Sequence, residues 1–210
     1  QEFINGRPND NIGITLFAGE TFTQCPLTVD HAVLLDMIHN IKCGLITDGT
    51  AVGMGIANAV TRLKDSKAKS KVIILLTDGT NNKGDISPMT AAEIAKSFGI
   101  RVYTIGVGTN GMAPYPYPVG NTVQYVSMPV EIDEKTLTEI AGTTDGNYFR
   151  ATSNSKLKEV YEEIDKLEKT KLNVKEYSKR DEEYHWFALA AFLCVLLEVL
   201  LRNSVLKKIP

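Results

Sequence analysis

The stretch that decides the fold is Lys71–Gly79, which reads KVIILLTDG. An unbroken apolar run, Val72–Leu76, stands between a lysine and a threonine, and Asp78-Gly79 supplies a turn signal directly after it. A short apolar run bounded by polar turn residues is typical of a strand that is buried on both faces. The run therefore predicts a central strand of a parallel sheet.

Helical and extended patterns alternate on both sides of this strand. Apolar residues at helical spacing predict helices over His31–Ile41, Val52–Leu63, Thr90–Phe98, Asp133–Ala141 and from Ser153 or Ser155 to Lys169. Short extended patterns predict strands over Ile12–Ala18, Phe22–Pro26, Ile100–Val107 and Asn147–Ala151. This alternation predicts an α/β fold with a doubly wound, mostly parallel sheet.

A segment rich in proline, glycine and tyrosine follows the predicted strand Ile100–Val107. Residues Gly108–Pro129 are longer than a usual connection, so we expect a long loop at the edge of the sheet. Its aromatic residues, Tyr115, Tyr117 and Tyr125, are candidate contacts for a partner protein, because tyrosine is enriched in interfaces. A loop that packs its own rings is the alternative.

The C-terminal end is far more apolar than the rest of the chain. Residues Trp186–Leu201 read WFALAAFLCVLLEVLL, with Glu198 as the only charged side chain. With tyrosine and tryptophan on one side and Arg202 on the other, the run predicts a transmembrane helix over 185–203. We expect a sheet domain over 1–169, a charged linker over 170–184 and a basic tail over 204–210. A buried core helix is the alternative.

The overall composition excludes several classes of protein. The 210 residues are 43% hydrophobic and 23% charged, which is ordinary for a globular chain, and the net charge of -2 leaves no basic surface for nucleic acid. Three cysteines are too few for a disulfide scaffold. Cys25 and Cys43 either pair or, as we expect, stay as buried thiols.

The C-terminal edge of the predicted sheet carries two oxygen ligands. Asp78 follows the central strand, and Thr50 lies in a turn before a predicted helix. Ligands bind at this edge of open parallel sheets, and a carboxylate with a hydroxyl suits Mg²⁺ or Ca²⁺. Alternatively, Asp78 opens a turn and Thr50 caps a helix.

The order of the segments resembles a known family. DNIGITLFAG, PLTVD, DGTAVGMGIANA, KVIILLTDGTNNKGDISP, AAEIAKSFGIRVYTIGVG and IDEKTLTEIAGTTDGNYFRA together resemble a von Willebrand factor A (VWA) domain. The resemblance is closest to the bacterial, membrane-anchored branch of aerotolerance-associated Bat proteins. It runs from about Asn9 to Glu168, and the apolar helix that follows matches the layout of that branch.

This resemblance implies a metal-ion-dependent adhesion site, abbreviated MIDAS. The family motif is an Asp-x-Ser-x-Ser loop, then a threonine, then an aspartate; Thr50 matches the threonine and Asp78 matches the aspartate. The loop is absent, so we expect it and the first strand to precede Gln1 in a longer protein. With these missing, weak binding of Mg²⁺, or of Ca²⁺ or Mn²⁺, is expected.

The resemblance also implies a partner and a location. The metal bridges to a carboxylate of a partner protein, so the chain is expected to be a binding module and not an enzyme. Other subunits of a bacterial membrane complex are expected partners. The layout of the family places the VWA domain in the periplasm, on a single-pass anchor in the inner membrane. An α/β hydrolytic enzyme that uses Asp78, and a metal-free scaffold, are the alternatives.

Overall fold

The computed structural model describes residues 2–42, 44–108, 111–119, 122–130, 132–177, 189–195, 198–199 and 201. The chain divides into two compact units, Gln1–Lys169 and Thr170–Pro210. All the described strands lie in the first unit. The helices and strands, in chain order, are α1 (Glu2–Asn5), β1 (Ile12–Phe17), β2 (Thr21–Thr28), α2 (His31–His39), α3 (Val52–Leu63), β3 (Lys71–Thr77), α4 (Pro88–Ser97), β4 (Ile100–Val107), β5 (Gly111–Val119), β6 (Thr122–Val130), α5 (Glu134–Thr143), β7 (Tyr148–Ala151) and α6 (Asn154–Tyr177).

A parallel sheet with strand order β3-β4-β7 forms the centre of the first unit. β3 pairs with β4 along its full length, from Lys71 opposite Ile100 to Thr77 opposite Gly106. Side chains alternate between the two faces: Ile73 and Leu75 pack with α3, α4 and α5, whereas Ile74 and Leu76 pack with α6. The doubly wound, parallel α/β architecture predicted from the sequence is therefore confirmed.

Caps from the sequence fix where the helices begin. The Ser87 side chain accepts a hydrogen bond from the Thr90 amide at the start of α4, and Pro88 occupies the first turn of that helix. Asp133 accepts from the Thr136 amide at the start of α5. At the other end of α4, Gly99 adopts φ +64°, a left-handed conformation that ends the helix at little steric cost.

β1 and β2 form a separate antiparallel sheet, which packs against α3. The Asn58 side chain of α3 accepts a hydrogen bond from Thr23 Oγ1 at 2.9 Å and donates one to Thr21 Oγ1 at 3.3 Å. Phe17 fills the space beside Gly55, where an added Cβ would lie 3.0 Å from the ring. Among the described residues, the edge of β3 that faces away from β4 has no strand partner.

The segment expected to be a long loop is an antiparallel hairpin. β5 and β6 pair in continuous register from Gly111 opposite Val130 to Val119 opposite Thr122. The expectation of a loop was wrong because proline is normally depleted in strands, which made the segment resemble irregular structure. Proline is nevertheless tolerated on edge strands, and both strands of this hairpin are edges.

The last helix is longer than predicted, since α6 continues beyond Lys169 to Tyr177 and includes the first part of the predicted charged linker. The Glu168 side chain of α6 is 5% exposed and accepts hydrogen bonds from Tyr103 at 2.6 Å and Ser70 at 2.8 Å, with an ion pair to Arg101. Arg7 forms a second ion pair to this helix, 2.8 Å from Asp165.

In the second unit, the described residues 189–195, 198–199 and 201 are helical, and they carry exposed apolar side chains, among them Leu189, Phe192 and Val195. Within the described residues, no helix is both long enough and apolar enough to cross a membrane. The predicted transmembrane segment 185–203 lies partly outside the described residues, and the predicted basic tail 204–210 lies wholly outside them. In the first unit, Cys25 is a free, buried thiol whose pKa is raised by burial, while Cys43 lies outside the described residues.

We expect Glu168→Gln to lower the free energy of unfolding at pH 7 by about 2–3 kcal/mol, because it leaves Arg101 without its charged partner. Burial alone would raise the pKa of the Glu168 carboxyl, but hydrogen bonds from Tyr103, Ser70 and Arg101, with the Arg101 charge, hold it below its usual value. The stabilisation that the Glu168 carboxylate provides is therefore complete above the usual glutamate pKa of about 4.3. It is lost as the pH falls through the lower pKa of this group in the native state.

Urea denaturation of both proteins between pH 7 and pH 3 tests this expectation. The exposed Glu162 of the same helix provides the matched control, Glu162→Gln, which should leave stability unchanged. An equal loss in both variants, or a difference between wild type and Glu168→Gln that does not shrink at low pH, would contradict the role given to Glu168.

Candidate functional site

The candidate site lies at the C-terminal edge of the central sheet, where β3, β4 and β7 end. Because β3, β4 and β7 are parallel, they end at the same edge, where Thr77 lies opposite Gly106 and Val107 opposite Ala151. Asp78 follows β3 directly and is exposed. The buried hydroxyl of Thr77 accepts a hydrogen bond from the Gly79 amide at 3.3 Å and so fixes the turn that presents Asp78.

Thr50 lies beside this turn, although it comes from a different part of the chain. It precedes Ala51, which occupies the N-cap position of α3. A Cβ atom placed on Gly79 would lie 3.2 Å from Thr50 Oγ1, so a side chain larger than glycine would crowd this hydroxyl. The Thr50 hydroxyl therefore lies beside the residue that follows Asp78.

Two asparagines hold the loops together, and sequence reasoning missed both. Asn82 Oδ1 accepts from the Thr50 amide at 2.9 Å, and the amides of Asn82 and Lys83 donate to the Thr50 carbonyl at 3.0 and 3.3 Å. Asn81 Oδ1 accepts from the Val52 amide at 2.9 Å. We refer to residues Asn81–Lys83 as the strap. The two loops at the candidate site are therefore fastened by hydrogen bonds in both directions.

Asn81 also compensates for a missing helix cap. Ala51 stands at the N-cap of α3 and has no side-chain oxygen, so it makes no side-chain cap. Asn81 supplies that acceptor from a loop that lies 29 residues away in sequence. Gly53 permits the close approach of this helix turn, since an added Cβ would lie 2.0 Å from the Ile86 carbonyl oxygen. An alanine at the start of a predicted helix was the available signal that the cap comes from elsewhere.

The end of β1 joins the same edge. The Ala51 amide donates to the Ala18 carbonyl at 2.7 Å, and the Gly19 amide donates to the Thr47 carbonyl at 2.7 Å. Thr50 is consequently held from two sides, by the end of β1 and by the strap.

The side chains at this edge supply some, but not all, of the ligands that a hard cation needs. Thr50 and Asp78 offer a hydroxyl and a carboxylate, the oxygen ligands that Mg²⁺ and Ca²⁺ prefer. Both ions require about six or more ligands, so these two side chains supply a minority of a complete shell. Among the residues that the structure describes, no group of three or more His, Cys, Asp or Glu side chains is placed to hold a metal ion.

The predicted partner contacts lie on the hairpin. Tyr115 and Tyr117 are on β5, and Tyr125 is on β6 with 71% of its surface exposed. The hairpin follows β4, so it leaves the central sheet at the edge that carries Asp78.

Among curated proteins, an uncharacterised protein of Borreliella burgdorferi is 26% identical over 208 residues. The match covers 99% of this chain but only 61% of that protein. The chain is thus shorter than this relative by more than a third of the relative's length.

Solved structures are similar over most of the chain. A conserved hypothetical protein BatB from Bacteroides thetaiotaomicron is 33% identical, with a TM-score of 0.68, covering 80% of this chain and 84% of that one. An aerotolerance-related membrane protein from Bacteroides fragilis is 29% identical, with a TM-score of 0.67, covering 79% and 82%. Proximal thread matrix protein 1 of the mussel byssus, with a zinc-occupied MIDAS motif, is 25% identical, with a TM-score of 0.59, covering 79% and 38%.

The profile of the von Willebrand factor type A domain matches residues 1–163. The resemblance seen in the sequence segments, including the likeness to Bat-type proteins, is thereby confirmed. The chain belongs to the von Willebrand factor type A domain family.

Proposed function

We propose that this chain is a membrane-anchored VWA module that binds a partner protein through a divalent cation at Thr50 and Asp78. The observation that carries the proposal is the position of Thr50 Oγ1, 3.2 Å from where a Cβ atom on Gly79 would lie, which places this hydroxyl beside the turn that carries Asp78. VWA domains commonly mediate protein–protein interactions, and one structural neighbour has zinc in its MIDAS motif.

The chemistry that follows is binding and not turnover. A bound Mg²⁺, Ca²⁺ or Mn²⁺ would supply a positive charge with an open ligand position, and a carboxylate of the partner would fill that position. Thr50 and Asp78 would hold the ion, the Asp78 carboxylate would offset part of its charge, and the strap holds their loops together by hydrogen bonds. The exposed Tyr125, together with Tyr115 and Tyr117, would add contacts beside this edge.

The proposed organisation follows the layout of the resembling branch. A VWA domain over 1–169 would be followed by a linker over 170–184, a membrane helix over 185–203 and a basic tail over 204–210. The domain would face the periplasm within an inner-membrane complex. Support for a membrane location comes from the structural neighbour described as an aerotolerance-related membrane protein.

Binding of Mn²⁺ alone to the chain in mild detergent tests the metal site. We expect weak binding that broadens the amide signals of Thr50 and Gly79 in NMR spectra, because only two of about six ligands come from these loops. Asp78→Asn should abolish the broadening, because it removes the carboxylate charge. The exposed Asp85, seven positions further along the same connection, gives the matched control Asp85→Asn, which should bind as wild type does.

Equal broadening in wild type and Asp78→Asn would contradict the metal site. Capture of a membrane protein that persists in chelator and in Asp78→Asn would indicate a metal-free scaffold. Turnover of a phosphorylated or acyl substrate that depends on Asp78 would indicate an enzyme.

The strap yields a separate expectation about α3. Asn81→Ala should lower the free energy of unfolding by about 1 kcal/mol, since it removes the acceptor for the Val52 amide and Ala51 cannot replace it. Asn81→Asp keeps that oxygen and should retain stability near that of wild type in the same urea titration. Loss of stability in both variants to the same degree would show that the amide nitrogen of Asn81, and not its oxygen, matters.

Membrane anchoring is tested by carbonate extraction of bacterial membranes that contain the chain. Wild type should remain in the pellet, whereas Phe192→Glu combined with Leu193→Lys should be released, because each charge placed in a spanning helix is unfavourable by about 2.5–3.5 kcal/mol. Cys194→Ser, a small change in the same helical stretch, is the control and should stay in the pellet. Release of the wild-type chain would contradict the anchor.

A further inference from the structure

The β5–β6 hairpin is a two-stranded sheet with no charged side chain. Residues Gly108–Val130 contain no Asp, Glu, Lys, Arg or His, and among the described strands these two pair only with each other. A hairpin of two strands is at best marginally stable in water, and a further strand stabilises it. The hairpin has two outer edges at which a further strand could be added, one on β5 and one on β6.

The register of the hairpin shows which way the backbone amides of β5 point. Pro114 lies opposite Ser127, Pro116 opposite Tyr125 and Pro118 opposite Val123. In an antiparallel ladder, pairs that exchange two hydrogen bonds alternate with pairs whose N–H and C=O groups point away from the partner strand. Proline has no N–H, so its pairs must be of the second kind.

The outer edge of β5 therefore lacks an amide donor at three successive outward positions. Proline at such positions is a device that natural sheets use to block the addition of another strand. β5 is consequently a protected edge.

The same alternation of inward and outward positions shows that the outer edge of β6 keeps most of its amide donors. Its outward positions are Val123, Tyr125, Ser127 and Pro129, and the first three, which are consecutive outward positions, keep their N–H. No charged residue guards this strand, and the side chains of Gln124, Tyr125, Val126 and Ser127 are exposed. Natural proteins rarely leave an uncharged edge of this kind without a partner.

We propose that the β6 edge pairs with the β6 edge of a second copy of this chain, which makes a four-stranded antiparallel sheet. Pairing centred on Tyr125 would place Val123 opposite Ser127 of the second copy and use all three outward amides. Because the strand has no charge, pairing of two identical copies brings no like charges together. The proline-blocked β5 strands would then form both outer edges, so the assembly stops at two copies, as expected for a two-fold interface.

This dimer interface involves the hairpin alone and requires no metal at Thr50 or Asp78. Its failure would leave the proposed metal site untouched, and failure of the metal site would leave the hairpin interface untouched.

Sedimentation of the chain in mild detergent, over a series of concentrations, tests the interface. Wild type should form a dimer, and Ser127→Pro should raise its dissociation constant by about tenfold or more, because an outward N–H is lost twice in each dimer. The matched control is Met112→Pro. Met112 lies opposite Pro129, so its amide faces outward on the protected edge, and its loss should leave the dimer unchanged.

Ser127→Lys provides a second variant that keeps the backbone amide and adds a charge to the open edge. It should also weaken the dimer, and the unfolding transitions of the sheet domain should match wild type in all three variants. A monomeric wild type at all concentrations would overturn the proposal. So would a dimer that persists in both Ser127 variants, since association would then run through another surface, such as the unpaired edge of β3.

Discussion

Burial of both faces of β3 and β4 is the constraint on which the rest of the first unit depends. A parallel pair in full register exposes apolar side chains on two sides, so helices must cover both. α3, α4 and α5 cover one side and α6 covers the other. Each helix must begin near the end of a strand, and this requirement brings the Thr50, Asp78 and strap loops to a common edge.

The central elements could be predicted from the sequence because their signals are local. The strand Lys71–Thr77, the strand Ile100–Val107 and the helix Val52–Leu63 have the predicted bounds. The hairpin could not be predicted in the same way. Proline disfavours a strand interior on average, and only the register shows that Pro114, Pro116 and Pro118 occupy positions that need no donor.

Some residues of the candidate site could be predicted from the sequence and others could not. Thr50 and Asp78 were predicted from their motif positions, and hydrogen bonds between Thr50 and Asn82 hold the loops that carry them together. Asn81 and Asn82 were not identified, because their partners lie about thirty residues away and a polar residue in a loop has no periodicity. Glu168 was hidden for a related reason. In the sequence it is one acid among many on a charged helix, and only the packing shows that it is buried against Arg101 and Tyr103.

The separate β1–β2 sheet has a consequence for how the domain opens. Cys25 and Leu34 belong to a small core of their own, distinct from the two cores of the central sheet. The layer is held to the rest through α3 and through the Arg7–Asp165 ion pair. Such a layer can unfold locally while the central sheet stays intact, and amides in β1 and β2 would then exchange with solvent before those of β3 and β4. Because the end of β1 also supports Thr50, this local opening would loosen the candidate site well before the domain as a whole is lost.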